Sequence, residues 1–261
     1  MERPAQTFGV VLLNFIVIVL LYAFLRDIIG WDGTQNLTFF WGFIFGGCYL
    51  SAAMFNHFSS NANGSAFLTL PCSTLEKWLC AFLISCVLYV IVYLLFFKAV
   101  DFAFVRYYHS HLNPAELHYT EKLEAVQLLP YTQKTAVTSY MIYANLVTSM
   151  LVGSLYFNRL AFIKTGLAIC AVFVGMFALN YLVAQMLFGQ VDDAFPFSHV
   201  SMRMLSPGIS QETALMMRPR NEVGDITLPS PYGEFSRSVI RFAVPAILCI
   251  TSFVRLKEKE F

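Results

Sequence analysis

Six long apolar stretches, separated by polar segments of unequal length, run along the chain of 261 residues. A helix crosses the hydrocarbon core of a bilayer, about 30 Å thick, with about 20 mostly apolar residues. An open strand would leave its backbone polar groups unsatisfied in lipid, so each stretch is predicted to be a helix. The predicted spans cover residues 8–27, 38–55, 77–97, 136–157, 160–188 and 238–255.

The connecting segments differ in length and in the signals that they carry. Residues 28–38 are predicted to be a short turn around Trp31-Asp32-Gly33, and residues 56–76 a polar loop. The segment 98–135 contains Asn113-Pro114, a pair typical of a helix start. Apolar residues then recur on roughly one face of a helix, which predicts an amphipathic helix at the membrane surface; they are Leu117, Leu123 and Leu128. The proline-rich segment 189–237 is predicted to be a long loop.

The composition supports a membrane protein and excludes an ordinary soluble domain. Hydrophobic residues make up 57% of the chain and charged residues only 13%, whereas soluble domains have about 25% charged residues. We therefore expect an all-α, polytopic integral membrane protein with six transmembrane helices, forming one transmembrane domain over residues 1–261. The net charge of +1, with no basic run, does not favour a nucleic-acid partner.

The distribution of charge predicts which side of the membrane holds the chain ends. The rule that cytoplasmic segments are rich in Lys and Arg applies to short loops. The segments on the side of the termini carry seven basic residues against four acidic ones; the basic residues are Arg3, Lys77, Arg159, Lys164, Arg255, Lys257 and Lys259. This excess places both termini in the cytoplasm.

Motifs for catalysis are absent from the sequence. There is no G-x-x-x-x-G-K-[ST] for nucleotide phosphates and no H-E-x-x-H for zinc. None of the predicted spans contains a His that could activate a serine. His109, His111 and His118 lack an accompanying Cys or positioned carboxylate, so their spacing does not favour a metal site. We expect no enzyme activity, no metal and no cofactor in this chain.

Amides and glycines are the notable residues within the spans. Asn14, Asn145, Asn180 and Gln185 either line a substrate path or hydrogen-bond to neighbouring helices. No charged residue is predicted at the middle of the membrane. Small residues on one face of span two favour close helix packing, within one chain or in a dimer; they are Gly42, Gly46 and Gly47.

The start of span three is the most sharply specified polar segment. Ser73 and Glu76 fit the S-x-x-E capping box, in which each side chain accepts a hydrogen bond from a free backbone N–H. Pro71 keeps the residue before it extended. The segment is interpreted either as a well-capped membrane helix or as a docking element for a cytoplasmic partner.

This segment also carries a resemblance to a known family. A polar loop after the second helix, followed by Leu-Pro-x-Ser-x-x-Glu-Lys at residues 70–77, resembles the membrane subunits (permeases) of type-2 ABC exporters. Residues 157–165 and 253–260 also resemble segments of small six-helix bacterial permeases of this kind. The resemblance implies transport of a substrate across the bacterial cytoplasmic (inner) membrane, a separate cytoplasmic ATPase subunit, and a homodimer or heterodimer of permease subunits surrounded by membrane lipid.

The resemblance also implies which residues meet the ATPase. In that family, a short coupling helix between helices two and three contacts the ATPase subunit. The matching coupling residues in this chain are Phe67, Leu70, Pro71, Ser73 and Glu76. The alternative is a non-transporting scaffold or assembly protein, which binds a partner through the segments 98–135 and 189–237.

Overall fold

The computed structural model is dominated by long helices. It describes residues 4–55, 67, 69, 71–112, 119–157, 160–188, 191–194, 199–204, 222–227 and 232–259. The helices are α1 (Pro4–Ile29), α2 (Trp31–Met54), α3 (Thr74–His111), α4 (Tyr119–Ala125), α5 (Lys134–Tyr156), α6 (Ala161–Phe188) and α7 (Tyr232–Glu258). Within the described residues, six of these are long and apolar enough to cross a membrane. The prediction of an all-α polytopic membrane protein with six spanning helices is confirmed.

The turn between α1 and α2 is much shorter than predicted. Gly30 alone separates the two helices, with φ at 85°, a backbone conformation that residues with a Cβ rarely adopt. Trp31, Asp32 and Gly33 form the first turn of α2 and not a loop. The prediction of a turn over residues 28–38 was therefore wrong, because one glycine suffices to reverse the chain.

Helix α3 is far longer than its apolar stretch. It contains a π-helical segment at Leu83–Leu88 and runs on past Phe97 to His111. Buried side chains continue along it at every fourth position, namely Tyr89, Tyr93, Phe97, Asp101 and Val105. Hydropathy ends the predicted span at Phe97 because the residues that follow include Lys98, Asp101 and Arg106. The helix itself continues because its buried side chains still pack against the rest of the first unit.

Helix α7 accommodates a proline in its interior. Val239–Ala243 is π-helical and ends two residues before Pro245. Proline has no N–H to donate and its ring clashes with the carbonyl four residues earlier. A π segment placed there relieves that clash while the helix continues.

The segments outside the spans contain more structure than predicted. The short helix α4 lies in the segment predicted to hold an amphipathic helix, whose start at residues 113–118 is outside the described residues. Leu128 lies beyond the end of α4. In the segment predicted to be a loop, a three-stranded antiparallel sheet is formed by β1 (Val191–Ala194), β2 (His199–Met204) and β3 (Glu222–Thr227).

The chain divides into two compact units. The first unit comprises Met1–Thr165 with Pro245–Phe261, and the second comprises Gly166–Val244. Within the first unit α2 is central and packs against α1 and α5. Aromatic side chains fill its interior, and the largest fully buried ones are Tyr22, Phe39, Phe43, Phe55, Tyr93 and Phe97.

Candidate functional site

One end of the first unit gathers the start of α3, the end of α5 and the end of α7, and is called the terminal end here. A hydrophobic cluster holds these elements together; its buried members are Phe55, Ala81, Leu151, Leu155 and Leu256. Met54, Phe67 and Trp78 pack against it. The predicted coupling segment therefore adjoins a packed apolar surface.

The capping box predicted at the start of α3 is present. The Glu76 backbone N–H donates to Ser73 Oγ at 3.3 Å, and the Ser73 N–H donates to Glu76 Oε2 at 2.8 Å. Both side chains, with Pro71 and Cys72, are exposed. The first turn of α3 is thus fixed in conformation yet open to the surroundings.

The predicted coupling residues fall into two groups. Phe67 is half-buried against the cluster, and the Lys77 ammonium lies 5.7 Å from its ring centre. Lys77 itself is buried. Pro71, Ser73 and Glu76 are exposed at the helix start, and Leu70 lies outside the described residues. Leu75, which was not predicted as a coupling residue, is 54% exposed in the same turn.

The end of α7 is fastened to this region by specific contacts. Trp78 Nε1 donates to Ser252 Oγ at 2.7 Å, and the Trp78 ring meets the Phe253 ring edge to face. The Arg255 guanidinium lies 4.8 Å from the Tyr156 ring centre and pairs with Glu258 at 2.7 Å. A movement of the start of α3 would therefore displace the end of α7 through these direct contacts.

The glycines of α2 make room for side chains of the same chain. A Cβ on Gly42 would lie 2.7 Å from the Tyr93 hydroxyl, and a Cβ on Gly46 would collide with the Tyr89 hydroxyl. A Cβ on Gly47 would collide with the Tyr143 ring. The stripe that the sequence indicated is occupied by tyrosines of α3 and α5, so it serves packing within one chain.

These tyrosines place their hydroxyls on backbone carbonyls of neighbouring helices. Tyr89 donates to the Gly42 carbonyl at 3.1 Å and Tyr93 to the Phe39 carbonyl at 3.0 Å. Tyr143 donates to the Ser85 carbonyl at 2.6 Å, within the π-helical segment of α3. Such interhelical bonds contribute about 0.6–2 kcal/mol each within a membrane.

A buried carboxylate lies at the opposite end of the first unit, which is called the Gly30 end. Asp101 is 2% exposed. Its Oδ1 accepts hydrogen bonds from the Tyr22 hydroxyl at 2.6 Å and from Gln35 Nε2 at 2.8 Å. Its Oδ2 accepts one from the Leu129 backbone N–H at 2.9 Å. One side chain thus joins α1, α2, α3 and the segment after α4.

That segment, residues 126–131, is called the strap. Besides the Leu129 bond, His109 Nε2 lies 2.9 Å from the Val126 carbonyl oxygen, and Gln35 Nε2 also donates to the Gln127 carbonyl at 2.8 Å. Tyr131 donates through its hydroxyl to the Leu94 carbonyl at 3.0 Å. Burial, reinforced by the negative charge of Asp101, raises the pKa of Tyr131, so this hydroxyl keeps its proton at physiological pH.

Sequence reasoning missed Asp101 because hydropathy assigned it to an external segment. A signal was nevertheless present: aromatic residues at Tyr89, Tyr93 and Phe97 recur every fourth position, and Asp101 is the next member of that series. An acidic residue on the buried stripe of a helix requires donors from its neighbours. The donors themselves come from three distant segments, which no local pattern identifies.

Of the amides predicted at depth, Asn14 bonds to a neighbouring helix and Asn145 to its own. Asn14 Nδ2 donates to the Gly42 carbonyl at 3.4 Å and Asn145 Nδ2 to the Met141 carbonyl of its own helix at 2.9 Å. Near Asn14, a cavity of about 170 Å³ is lined by Val10, Val11, Phe45, Gly46, Tyr49 and Phe162. Across the part of the chain that the structure describes, no three His, Cys, Asp or Glu side chains group as metal ligands would.

Comparison of the chain with protein-family models, with curated proteins and with solved structures gives no match.

Proposed function

We propose that this chain is the permease-like subunit of an ABC transporter, which moves a substrate across the bacterial cytoplasmic membrane with energy from a separate ATPase. The ATPase binds the terminal end, at the exposed first turn of α3. The observation that carries this proposal is the combination of a capped, exposed helix start with a buried attachment immediately after it.

A docking element that transmits movement must be rigid and attached to what it moves. The capping box supplies rigidity, since it satisfies backbone N–H groups that would otherwise fray. One turn later Trp78 is hydrogen-bonded to Ser252, and Ala81 lies in the hydrophobic cluster of the terminal end. A partner that displaces Pro71, Leu75 or Glu76 therefore displaces α3 and α7 together.

Helix α3 is also long enough to transmit a movement from one end of the first unit to the other. Its 38 residues correspond to about 57 Å at about 1.5 Å per residue. The exposed start lies at the terminal end, while Asp101 lies far along the same helix at the Gly30 end. An ATPase bound at the terminal end would thus act on both ends of the first unit.

The experiment is co-purification of the ATPase with matched variants. Leu75→Arg places a charge in the exposed first turn of α3, and Leu128→Arg places the same charge at an exposed position in the strap. We expect Leu75→Arg to abolish co-purification of an ATPase and ATP hydrolysis by the purified complex, and Leu128→Arg to retain both. Equal binding by both variants, or no ATPase with the unaltered chain, would contradict the proposal.

The second candidate function is a non-transporting scaffold, which the sheet of β1, β2 and β3 favours. Strands β1 and β3 are the outer strands of this sheet, and edge strands offer free backbone groups for pairing with another chain. Crosslinking from residues 191–227 to a partner, in a preparation without an ATPase, would support this function against transport.

A further inference from the structure

We propose that Asp101 is the latch of the strap, so that breaking its hydrogen bonds lifts residues 126–131 and opens the Gly30 end of the first unit to water. This device is separate from the docking of an ATPase and does not depend on it.

The strap is held by polar contacts and by a few apolar side chains. Val126 and Leu129 are buried and the Tyr131 ring lies 5.8 Å from the Phe39 ring, whereas Gln127, Leu128 and Pro130 are exposed. Its backbone follows no helix or strand between Val126 and Pro130. Such a segment opens at a lower free energy than the helices beneath it.

Two of the polar contacts that hold the strap depend on one carboxylate. Asp101 binds the Leu129 N–H directly, and it orients Gln35, whose Nε2 bonds both Asp101 and the Gln127 carbonyl. Hydrogen bonds to a charged group are stronger than neutral ones. Loss of the carboxylate therefore weakens two contacts to the strap together, whereas the His109 and Tyr131 contacts are independent of it.

Polar side chains lie beneath the strap, so its opening would expose a polar interior to water. Tyr22, Thr34, Gln35 and Asp101 are each at most 2% exposed. The carboxylate, amide and phenol bond to one another and to the strap backbone, as buried polar groups require. When the strap lifts, water replaces the Leu129 N–H, and a polar interior becomes open at this end.

The test is hydrogen exchange, followed by mass spectrometry, on the full chain in lipid nanodiscs. Asp101→Asn keeps the size of the side chain and removes its charge. We expect exchange in peptides covering residues 126–131 to accelerate about tenfold or more, the effect of losing one or two bonds to a charged group. Asp27→Asn is the matched control, because Asp27 lies at the same end but is exposed and forms a surface ion pair with Arg26.

A second variant separates the latch from a general loss of stability. His109→Ala removes the independent contact to Val126, and we expect a smaller acceleration confined to the same peptides. Unchanged exchange of the strap in Asp101→Asn would overturn the proposal. Equal acceleration in α2 and α5 would also overturn it, since Asp101 would then stabilise the whole unit.

Discussion

At the scale of single residues, this chain relies on aromatic side chains that carry a hydroxyl. Tyrosines of α3 and α5 lie against the glycines of α2, and their hydroxyls reach carbonyls that are already inside helices. In a membrane, helices associate through close packing and interhelical hydrogen bonds, because lipid gives no hydrophobic drive between them. A glycine with a tyrosine packed against it supplies both close packing and an interhelical hydrogen bond at one position.

Gly46→Ala tests this packing. The added Cβ would collide with the Tyr89 hydroxyl and with Asn14, so we expect a loss of stability of about 1–3 kcal/mol, typical of overpacking. The measurement is thermal unfolding of the purified protein in detergent. Gly9→Ala is the control, since nothing lies within 4 Å of a Cβ there; an equal loss in both variants would contradict the packing argument.

At the scale of helices, α7 is attached to α3 by one side-chain hydrogen bond, by the rings around it and by Leu256 in the hydrophobic cluster. Trp78 and Ser252 are far apart in sequence, and their bond is 2.7 Å long. Helix α7 otherwise presents many apolar side chains outward, such as Ile247 and Ile250. Its position against α3 therefore depends on few contacts.

A double-mutant cycle measures that attachment. Trp78→Phe and Ser252→Ala each remove one partner of the hydrogen bond, and the cycle separates their interaction from the lost ring area. We expect a coupling free energy of about 0.6–1.7 kcal/mol in unfolding experiments. Strictly additive effects would show that the bond contributes nothing to the docking of α7.

Helices were predictable from the sequence in number but not in extent. Hydropathy finds each span because lipid demands an apolar surface there. It fails beyond the membrane, where α3 continues to His111 with charged residues on its exposed side. The capping box was predictable because its two residues are close in sequence, whereas the Asp101 contacts depend on segments that only folding brings together.

At the scale of the whole molecule, an even number of spanning helices would place the two ends of this chain on one side of the membrane. The charge distribution predicts that this side is the cytoplasm. The strap, at the Gly30 end, would then face outward. This arrangement is a requirement of the proposed function, because an ATPase must reach the start of α3 from the cytoplasm.

Cysteine labelling tests this topology. In a chain whose six native cysteines are replaced, Lys257→Cys and Leu128→Cys introduce exposed thiols at the terminal end and in the strap. With a membrane-impermeant maleimide applied to cells whose outer membrane has been made permeable, we expect labelling at position 128 and protection at position 257. The reverse pattern would place the termini outside and would remove the basis for ATPase docking.

Gly30 has a consequence for how the protein is made. With a single residue between α1 and α2, almost no chain is available to emerge on the far side before the polypeptide reverses. We therefore expect α1 and α2 to enter the bilayer together as a hairpin, in which Ile18 lies against Gly42. A larger residue at position 30 would be strained at this positive φ, and we expect it to impair insertion as well as the finished turn.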